Sequence, residues 1–555
     1  MPLPGIRFTD DLQVRHLGPL PILVPFLQQT GLQAVIDAAV PAGDRKQLSH
    51  GQVVSALVLN RLMSPRSLYA VADWSRQVAI PEALQIAPSD LNDDCLLRTL
   101  DAIFPHLESI QGTLTWQVLE RFQLDTAFVH WDLTSFFFER SYDEEQQDVA
   151  APLIKYGQPK KQDAGKWRKQ MQVGIATTED GGVPFWHRPF SGNAAEVSVV
   201  GDVMEELRRR IHRSTFTLVG DSKLISRHNM RKALQMGLSF LGPETRSDEI
   251  QQRYLALRAT KAPACQLQRL AYGGDRRPRP QIYMGFETSF VLSDEETGTE
   301  HMLRRLFIVS AEERRAARRN RRRQLTKLMA EIAKIRRNLG RFSYKTNAQV
   351  RTRVKALLEK AKLQDGFAWD VQGEGSTMRL HFEKDPAAFG RIRQLDGVYT
   401  LVTNLGPEYT LDQLLERYKR QYLSERRFRD LKGPMQLRPV FLKKNQRIVA
   451  LVFIVYVALL VYTLIERAAR KHLAETGTTL PDPYTGRPLK QPTARRLLSA
   501  FEFYSVNLRQ TEDDWEYLAP PFNPVQKQIL ATLGTDQPLD FLAGPPRKKP
   551  PRRRR

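Results

Sequence analysis

The sequence predicts an α/β chain: a mixed-sheet core interrupted by an inserted segment, preceded by a helical domain and ended by a basic disordered tail. At residue 123 a helical texture gives way to the aromatic, β-branched run TAFVHWDLTSFFFE (126–139), which has the composition of a strand. Strand-like and helix-like runs then alternate, as in sheets that carry helices on their faces. From about 242 to 395 the alternation loosens, and it resumes with a strand at 397–403.

Residues 1–122 form the helical domain, a candidate for binding DNA ends. Ser49 with Gln52 makes a capping-box pattern ahead of Val53, Val54, Leu57, Val58 and Leu62. Ser64-Pro65-Arg66 breaks that helix, and 67–76 starts another. Helix, short turn and helix fit a DNA-binding helix-turn-helix, though a plain bundle has the same pattern. Ser89-Asp90 marks a helix through Leu91, Leu96, Leu97, Leu100 and Ile103, and 106–122 gives one more.

The first part of the core, 123–241, holds the 126–139 strand with Asp132 inside it. Strands at 172–178 and 183–190 follow, joined by the turn Glu179-Asp180-Gly181-Gly182. A helix at 194–212 leads to the apolar strand 215–220, which ends on Asp221; a helix (222–236) and a strand (238–241) complete this part. The insertion, 242–395, carries strands at 281–292, 302–310 and 378–382 around a basic helix with seven arginines between 314 and 323. That helix continues through Leu325, Leu328, Ile332, Ile335 and Leu339. A solvated arm is the plain account of it, and its charge density also suits phosphate. The second part of the core spans 396–472. Residues 473–555 are Pro-rich and irregular, ending in PPRKKPPRRRR, a tail suited to nonspecific nucleic-acid affinity.

With 41% apolar and 26% charged residues, the 555-residue chain is globular. Lys plus Arg number 84 against 61 acids, a net charge of +23, which favours a polyanionic partner: nucleic acid first, an anionic membrane surface second. Cys95 and Cys265 are the only cysteines, without CxxC or a Cys/His cluster. That argues against structural zinc and a disulfide framework and fits a reducing cytoplasm. No secretory signal opens the chain. The run IVALVFIVYVALLVYTLI (448–465) is eighteen residues without a charge, at the length threshold for a membrane span. As one short run directly after a charged helix it reads as a buried core helix, and no membrane is expected. Walker A, HExxH and nucleophile-elbow patterns are missing. His187 and His228 are isolated and read as structural.

Residues 411–432, LDQLLERYKRQYLSERRFRDLK, read as one helix on apolar spacing. Tyr418, Gln421, Glu425 and Lys432 fall on a single stripe of it, with Arg420, Arg426, Arg427 and Arg429 close by. A lone carboxylate amid this charge suits a helix that meets phosphate and helps hold a metal ion; a solvated helix laced with ion pairs is the alternative. Two more acids accompany it: Asp132 within a strand and Asp221 at a strand's carboxyl end, where ligands of open α/β sheets gather. Converging carboxylates are costly unless cations neutralise them. Two divalent ions about 3.5–4 Å apart would do so, and magnesium or manganese suits all-oxygen ligands. Singly, each acid is unspecific: Asp132 can pair with His130 or an arginine, and Asp221 can cap the helix after it.

Taken together these pieces resemble the DDE transposases of bacterial insertion sequences, in the branch marked by Tyr-x2-Arg-x3-Glu-x6-Lys. The motif here is Tyr418-x2-Gln421-x3-Glu425-x6-Lys432. WDLTSF (131–136) resembles the first-Asp strand and LVGDSKLIS (218–226) the second. GGVPFWHRPFSGNAAE (181–196) is similar to the family's stretch between the first and second acids, and DGVYTLVTN (396–404) to the stretch before the helix of the third.

The resemblance runs from about Asn92 to Arg467. It implies a ribonuclease H-like core in which Asp132, Asp221 and Glu425 bind two Mg2+ ions, with Mn2+ as a substitute. It also implies Tyr418 and Lys432 at the transposon end, an insertion between second Asp and Glu, and a core helix at 448–465. Gln421 stands where arginine is usual, and Arg420 is the neighbour able to supply that charge; Arg426 and Arg429 complete the expected DNA-binding set.

The implied partners are double-stranded DNA, as element ends and target, and further copies of the chain in a homodimer or higher oligomer on DNA. The implied activity is hydrolysis at the element's end and strand transfer by the freed 3′ hydroxyl, in a cytoplasmic, nucleoid-associated protein. A catalytically silent DNA-binding relative, a nuclease of the same fold and a membrane-associated basic protein are the competing classes.

Overall fold

A computed structural model describes residues 12–41, 48–138, 142, 147–157, 168–195, 199–211, 215–272, 281–433, 435, 442–510 and 515–542. The expected basic tail at 545–555 lies outside them. From the amino end the elements are β1 (Leu12–His16), α1 (Leu20–Thr30), α2 (Leu32–Ala39), α3 (His50–Met63), α4 (Val71–Gln77), α5 (Ile80–Leu84), α6 (Asp93–Ile103) and α7 (Leu107–Arg121). The middle of the chain gives β2 (Phe128–Phe137), β3 (Lys155–Gly157), β4 (Arg168–Thr178), β5 (Pro184–Ser191), α8 (Val199–Arg210), β6 (Thr217–Val219), α9 (Arg227–Gln235) and β7 (Ser239–Pro243). Next come α10 (Asp248–Ala259), β8 (Gln268–Tyr272), β9 (Gln281–Ser293), β10 (Glu300–Ser310), α11 (Ala311–Arg337), α12 (Asn347–Ala361), β11 (Phe367–Gln372), β12 (Arg379–Lys384), α13 (Pro386–Gln394) and β13 (Val398–Thr403). The carboxyl part holds α14 (Leu411–Lys419), α15 (Tyr422–Lys432), α16 (Asn445–Thr476), β14 (Leu480–Pro481), β15 (Pro488–Leu489), α17 (Ala494–Ser499), β16 (Ser505–Gln510), β17 (Trp515–Leu518) and α18 (Pro524–Thr532).

These elements form two compact units. One comprises residues up to 220, 236–238 and those from 419 on; the other comprises 221–235 and 239–418.

The first unit is built around α16. Every side chain from Ile448 to Ile465 is buried, against α1, α3, α6, β5, α15, α17 and α18. A fully buried aliphatic side chain contributes about 1.5–3 kcal/mol, so this helix is a large share of the unit's core. Length and composition alone would let it cross a membrane, yet its apolar window is wholly buried in protein. Among the N-terminal helices, α3 has the expected capping box of Ser49 and Gln52 and ends at Met63, before Ser64-Pro65. The start of α6 differs from expectation: Asn92, not Ser89-Asp90, caps it by accepting from the Cys95 N–H, while residues 88–91 form a 3-10 turn.

The sheet of this unit runs β3-β4-β2-β6, with β5 also paired to β4. β2 is antiparallel to β4 and parallel to β6, so the sheet is mixed. This is the ribonuclease H-like α/β core the sequence predicts. The carboxyl region is more ordered than its Pro-rich sequence suggests. β16 pairs with β1 from the opposite end of the chain and with β17, a long-range pairing that no local pattern announces.

In the second unit β7, β13, β10, β9 and β8 lie side by side, all antiparallel. The strands expected at 281–292 and 302–310 therefore join the 398–403 strand in one sheet, instead of standing apart as an insertion. A second core lies under α11, α12, β11, β12 and α13, with Leu328, Ile332, Val354, Phe367, Phe382 and Phe389 at its centre.

Candidate active site

The stretch expected to be one helix is two. α14 stops at Lys419 and α15 starts at Tyr422. Between them the carbonyls of Arg420 and Gln421 accept from the Leu423 and Ser424 N–H groups, tight turns that interrupt the helical ladder. Tyr418 consequently does not share α15 with Gln421, Glu425 and Lys432. It lies in the second unit, its ring 6.5 Å from that of Tyr399.

Gln421 explains part of the break. Its amide Nε2 donates to the Trp131 carbonyl at 3.2 Å, and its Oε1 lies 3.1 Å from His130 Nδ1. Ser424 Oγ lies 2.8 Å from Thr177 Oγ1 on β4, directly across the ladder from His130. At its far end α15 meets β2 again: Lys432 Nζ sits 5.7 Å from the centre of the Phe136 ring.

These contacts fix how α15 lies on the strand. His130, Asp132, Thr134 and Phe136 share one face of β2, since side chains alternate. Gln421, the residue that leads into α15, falls on the same face as Glu425 and Lys432, within about 40° at ~100° per residue. From the Gln421–His130 contact, four helical residues advance ~6 Å to Glu425 and two strand residues advance ~6.6 Å to Asp132. Asp132 and Glu425 thus follow that contact by similar rises, each along its own element.

The strand that precedes Asp221 pairs with β2. His130 stands opposite Val219 in the parallel β2–β6 pairing; Asp132 follows His130 by two residues, and Asp221 follows Val219 by two. Asp221 belongs to the second unit. Its Oδ1 accepts from the Lys223 and Leu224 N–H groups at 3.0 and 3.3 Å, holding the turn before α9.

Close packing sets the strand that carries Asp132. The Trp131 ring lies over Gly174, where an added Cβ would come within 2.1 Å of it. Gly181 and Gly182, at φ +80° and +61°, make the turn on which α15 rests; a Cβ at Gly182 would meet the Leu423 Cβ at 2.8 Å.

The arginines of α15 depart from expectation. Arg426, expected to bind DNA, is buried at 7% exposure and donates to Glu466 Oε2 at 2.5 Å. Arg427 is fully buried and donates to Glu466 Oε1 at 3.0 Å and to the Gly182 carbonyl at 3.0 Å. Arg470 reaches Glu466 at 3.2 Å. Burial opposes charge on Glu466, but Arg427, Arg470 and Arg426 together outweigh it and hold the carboxyl below its ordinary range. Burial raises Asp430, against the pull of Arg427 and Arg426. Such a group locks α15 onto α16 and contributes nothing to a DNA surface. Gln421 is also corrected: its amide is used on β2 rather than turned to phosphate. Arg420 lies 3.5 Å from Glu179, while Glu425, Arg429 and Lys432 are exposed. Glu466, Ser424 and Thr177 escaped the sequence reading; the one trace was a charged Glu466-Arg467 pair at the end of an uncharged run.

His187 is structural, as expected. Burial pushes it down to about 3, and its ring stacks on Tyr456 at 4.3 Å. Among the described residues no group of three or more His, Cys, Asp or Glu side chains is gathered closely enough to hold a metal ion. The donor chemistry of Asp132, Asp221 and Glu425 nonetheless fits one class of ion, because three carboxylates offer only hard oxygen ligands.

A mixed sheet in which β2 is antiparallel to β4 and parallel to β6 is the ribonuclease H-like arrangement. Residues 141–461, more than half the chain, match the family model described as Transposase DDE domain, so the chain belongs to the DDE transposases. That match includes Asp221 and Glu425 and begins after Asp132. Residues 12–109 match a domain of unknown function, DUF4277. No curated relative matches the chain. Among solved structures the chain is similar to one described as the cryo-EM structure of piggyBac transposase synaptic complex with hairpin DNA. The identity is 10%, with 87% of this chain and 79% of that one covered and a TM-score of 0.39.

Proposed function

We propose that this transposase is of the bacterial insertion-sequence type. On this reading it cuts DNA at the ends of its element and joins them to target DNA, with Asp132, Asp221 and Glu425 as the catalytic acids. The observation that carries the reading is the seating of α15 on β2. Gln421 on His130 and Lys432 near Phe136 seat the helix that carries Glu425 on the strand that carries Asp132, in a chain whose family match includes Asp221 and Glu425. The three carboxylates would hold two magnesium ions, or manganese, which when bound supply charge neutralisation at the scissile phosphate and ease deprotonation of the attacking oxygen.

The protein's own part is positioning. Gln421, Ser424 and Thr177 hold helix and strand in register, and the Glu466 cluster fixes α15 from behind. Exposed Lys432 and Arg429 supply positive charge beside the phosphates. Water adds to phosphorus at the element's end and the bond to the 3′ oxygen breaks, freeing a 3′ hydroxyl and leaving a 5′ phosphate on the flank. That hydroxyl then adds to a target phosphorus and displaces its 3′ oxygen. Both steps are in-line displacements that need orientation and charge, without a covalent protein intermediate.

Residues 1–122 would bind the element's ends, and two or more copies would bring two ends together, in the cytoplasm at the nucleoid. The test incubates the protein and its Asp132→Asn, Asp221→Asn and Glu425→Gln variants with an end-bearing duplex and a target plasmid. Each variant should bind and fail to cut; normal cutting by any one removes that residue from the site. End cleavage without joined product would make the protein a nuclease of this fold.

A further inference from the structure

The basic helix α11 is not used by the proposed catalytic site. It leaves strand β10 at Ser310, whose side chain caps it by accepting from the Glu313 N–H. Its two faces treat arginine differently. On the inner face Arg321 forms a two-pronged ion pair with Asp396, itself 5% exposed, and Arg314 Nε lies 3.5 Å from the Asp396 carbonyl. Further along, the same face carries Leu328, Ile332 and Ile335 into the core shared with α12 and β11–β12. The helix is therefore anchored at its base and along its length.

The outer face carries Arg315, Arg318, Arg319, Arg322 and Arg323, all exposed. Arg319, Arg322 and Arg323 make no ion pair or side-chain hydrogen bond among the described residues. Arg318 stays 59% exposed with its Nε 3.9 Å from Asp396. Between Glu313 and Glu331 the helix has no acid. Like charges three and four residues apart oppose helix formation, and here Arg315–Arg319, Arg318–Arg322 and Arg319–Arg323 all have that spacing. A chain with 61 acids to place has put none among them. Arginine on a rigid helix is matched to phosphate oxygens, and the five occupy ~12 Å of axis, enough to engage several phosphates of a duplex.

We infer that the outer face of α11 is a docking surface for the sugar-phosphate backbone of double-stranded DNA, independent of sequence. The inference rests on DNA being the substrate and not on the cleavage chemistry. It is tested by titrating the full-length protein with labelled duplexes, one bearing the element's end and one unrelated, over a range of salt. The variants are Arg315→Ala/Arg319→Ala/Arg322→Ala and the same triple with Lys. In the Ala triple, the slope of log K against log salt should fall by about 2 to 3, roughly 0.9 per phosphate released. The fall should be equal on both duplexes and restored in the Lys triple. An unchanged slope in the Ala triple overturns the assignment, as does a Lys triple as weak as the Ala one, or a loss confined to the end-bearing duplex. Cleavage-dead Glu425→Gln serves as a parent with the same expected slopes, so failure of the catalytic reading leaves this test standing. Wild-type protein that binds neither duplex would refute both.

Discussion

Two arginine-rich helices put the same side chain to opposite uses. On α15, Arg426 and Arg427 turn inward and share Glu466 with Arg470. On α11, Arg319, Arg322 and Arg323 point outward and meet no acid among the described residues. In sequence the two look alike, and α15 even has the motif that promised DNA contact. What separates them is the position of acids remote in sequence: Glu466 lies 39 and 40 residues from its two α15 partners, and among the described residues no acid pairs with Arg319, Arg322 or Arg323 of α11. Arginine density alone does not mark a nucleic-acid surface. The proposed surface on α11 rests on density together with exposed arginines that meet no acid among the described residues.

The contrast can be broken at several points, the largest being Glu466. Glu466→Ala leaves Arg426, Arg427 and Arg470 facing one another in a buried site. It should cost about 3–5 kcal/mol of unfolding free energy, read from a denaturant melt; a variant as stable as wild type would mean the cluster is not buried in solution. Next comes the wall of α16 itself, probed through His187. Its folded-state value, about 3, lies below the ordinary 6.5, so the unfolded chain takes up the proton first as pH falls. Stability should be full above about pH 6.5 and drain away towards pH 3, by on the order of a few kcal/mol. His187→Phe should flatten that part of the pH–stability curve, whereas an unchanged curve would show that another group sets it.

Gln421→Ala removes the bonds to His130 and Trp131. It should cost ~1 kcal/mol of stability and lower end cleavage roughly tenfold through misplacement of Glu425, with the salt slope of DNA binding unaltered. A changed slope would return Gln421 to the DNA surface. The smallest effect is expected of Arg319→Ala: stability within about 0.5 kcal/mol and a salt slope lower by ~0.9. Arg426→Ala should do the reverse, losing stability and keeping the slope.

Much of this was legible in the sequence wherever local pattern suffices. The aromatic strand around Asp132, the glycine turn 179–182, the capping box at Ser49 and the uncharged core helix all follow from neighbouring residues. Partnerships across the chain were not legible. β1 with β16, β9 and β10 joining β13, and Glu466 with the α15 arginines all depend on contacts whose sequence separation carries no periodic signal. The apolar spacing of 411–432 pointed to one helix, and it was overridden at Gln421, whose amide reaches a strand 290 residues away. That contact takes Gln421 off the expected DNA face, and Glu466 takes Arg426 off it.

The most direct test of the catalytic account is end cleavage by purified protein in Mg2+ beside Glu425→Gln. A nick at the element's end that requires both the ion and Glu425, with binding equal in the two proteins, is the predicted result. Equal nicking by Glu425→Gln, or tight binding without a nick in Mg2+ and in Mn2+, would contradict it.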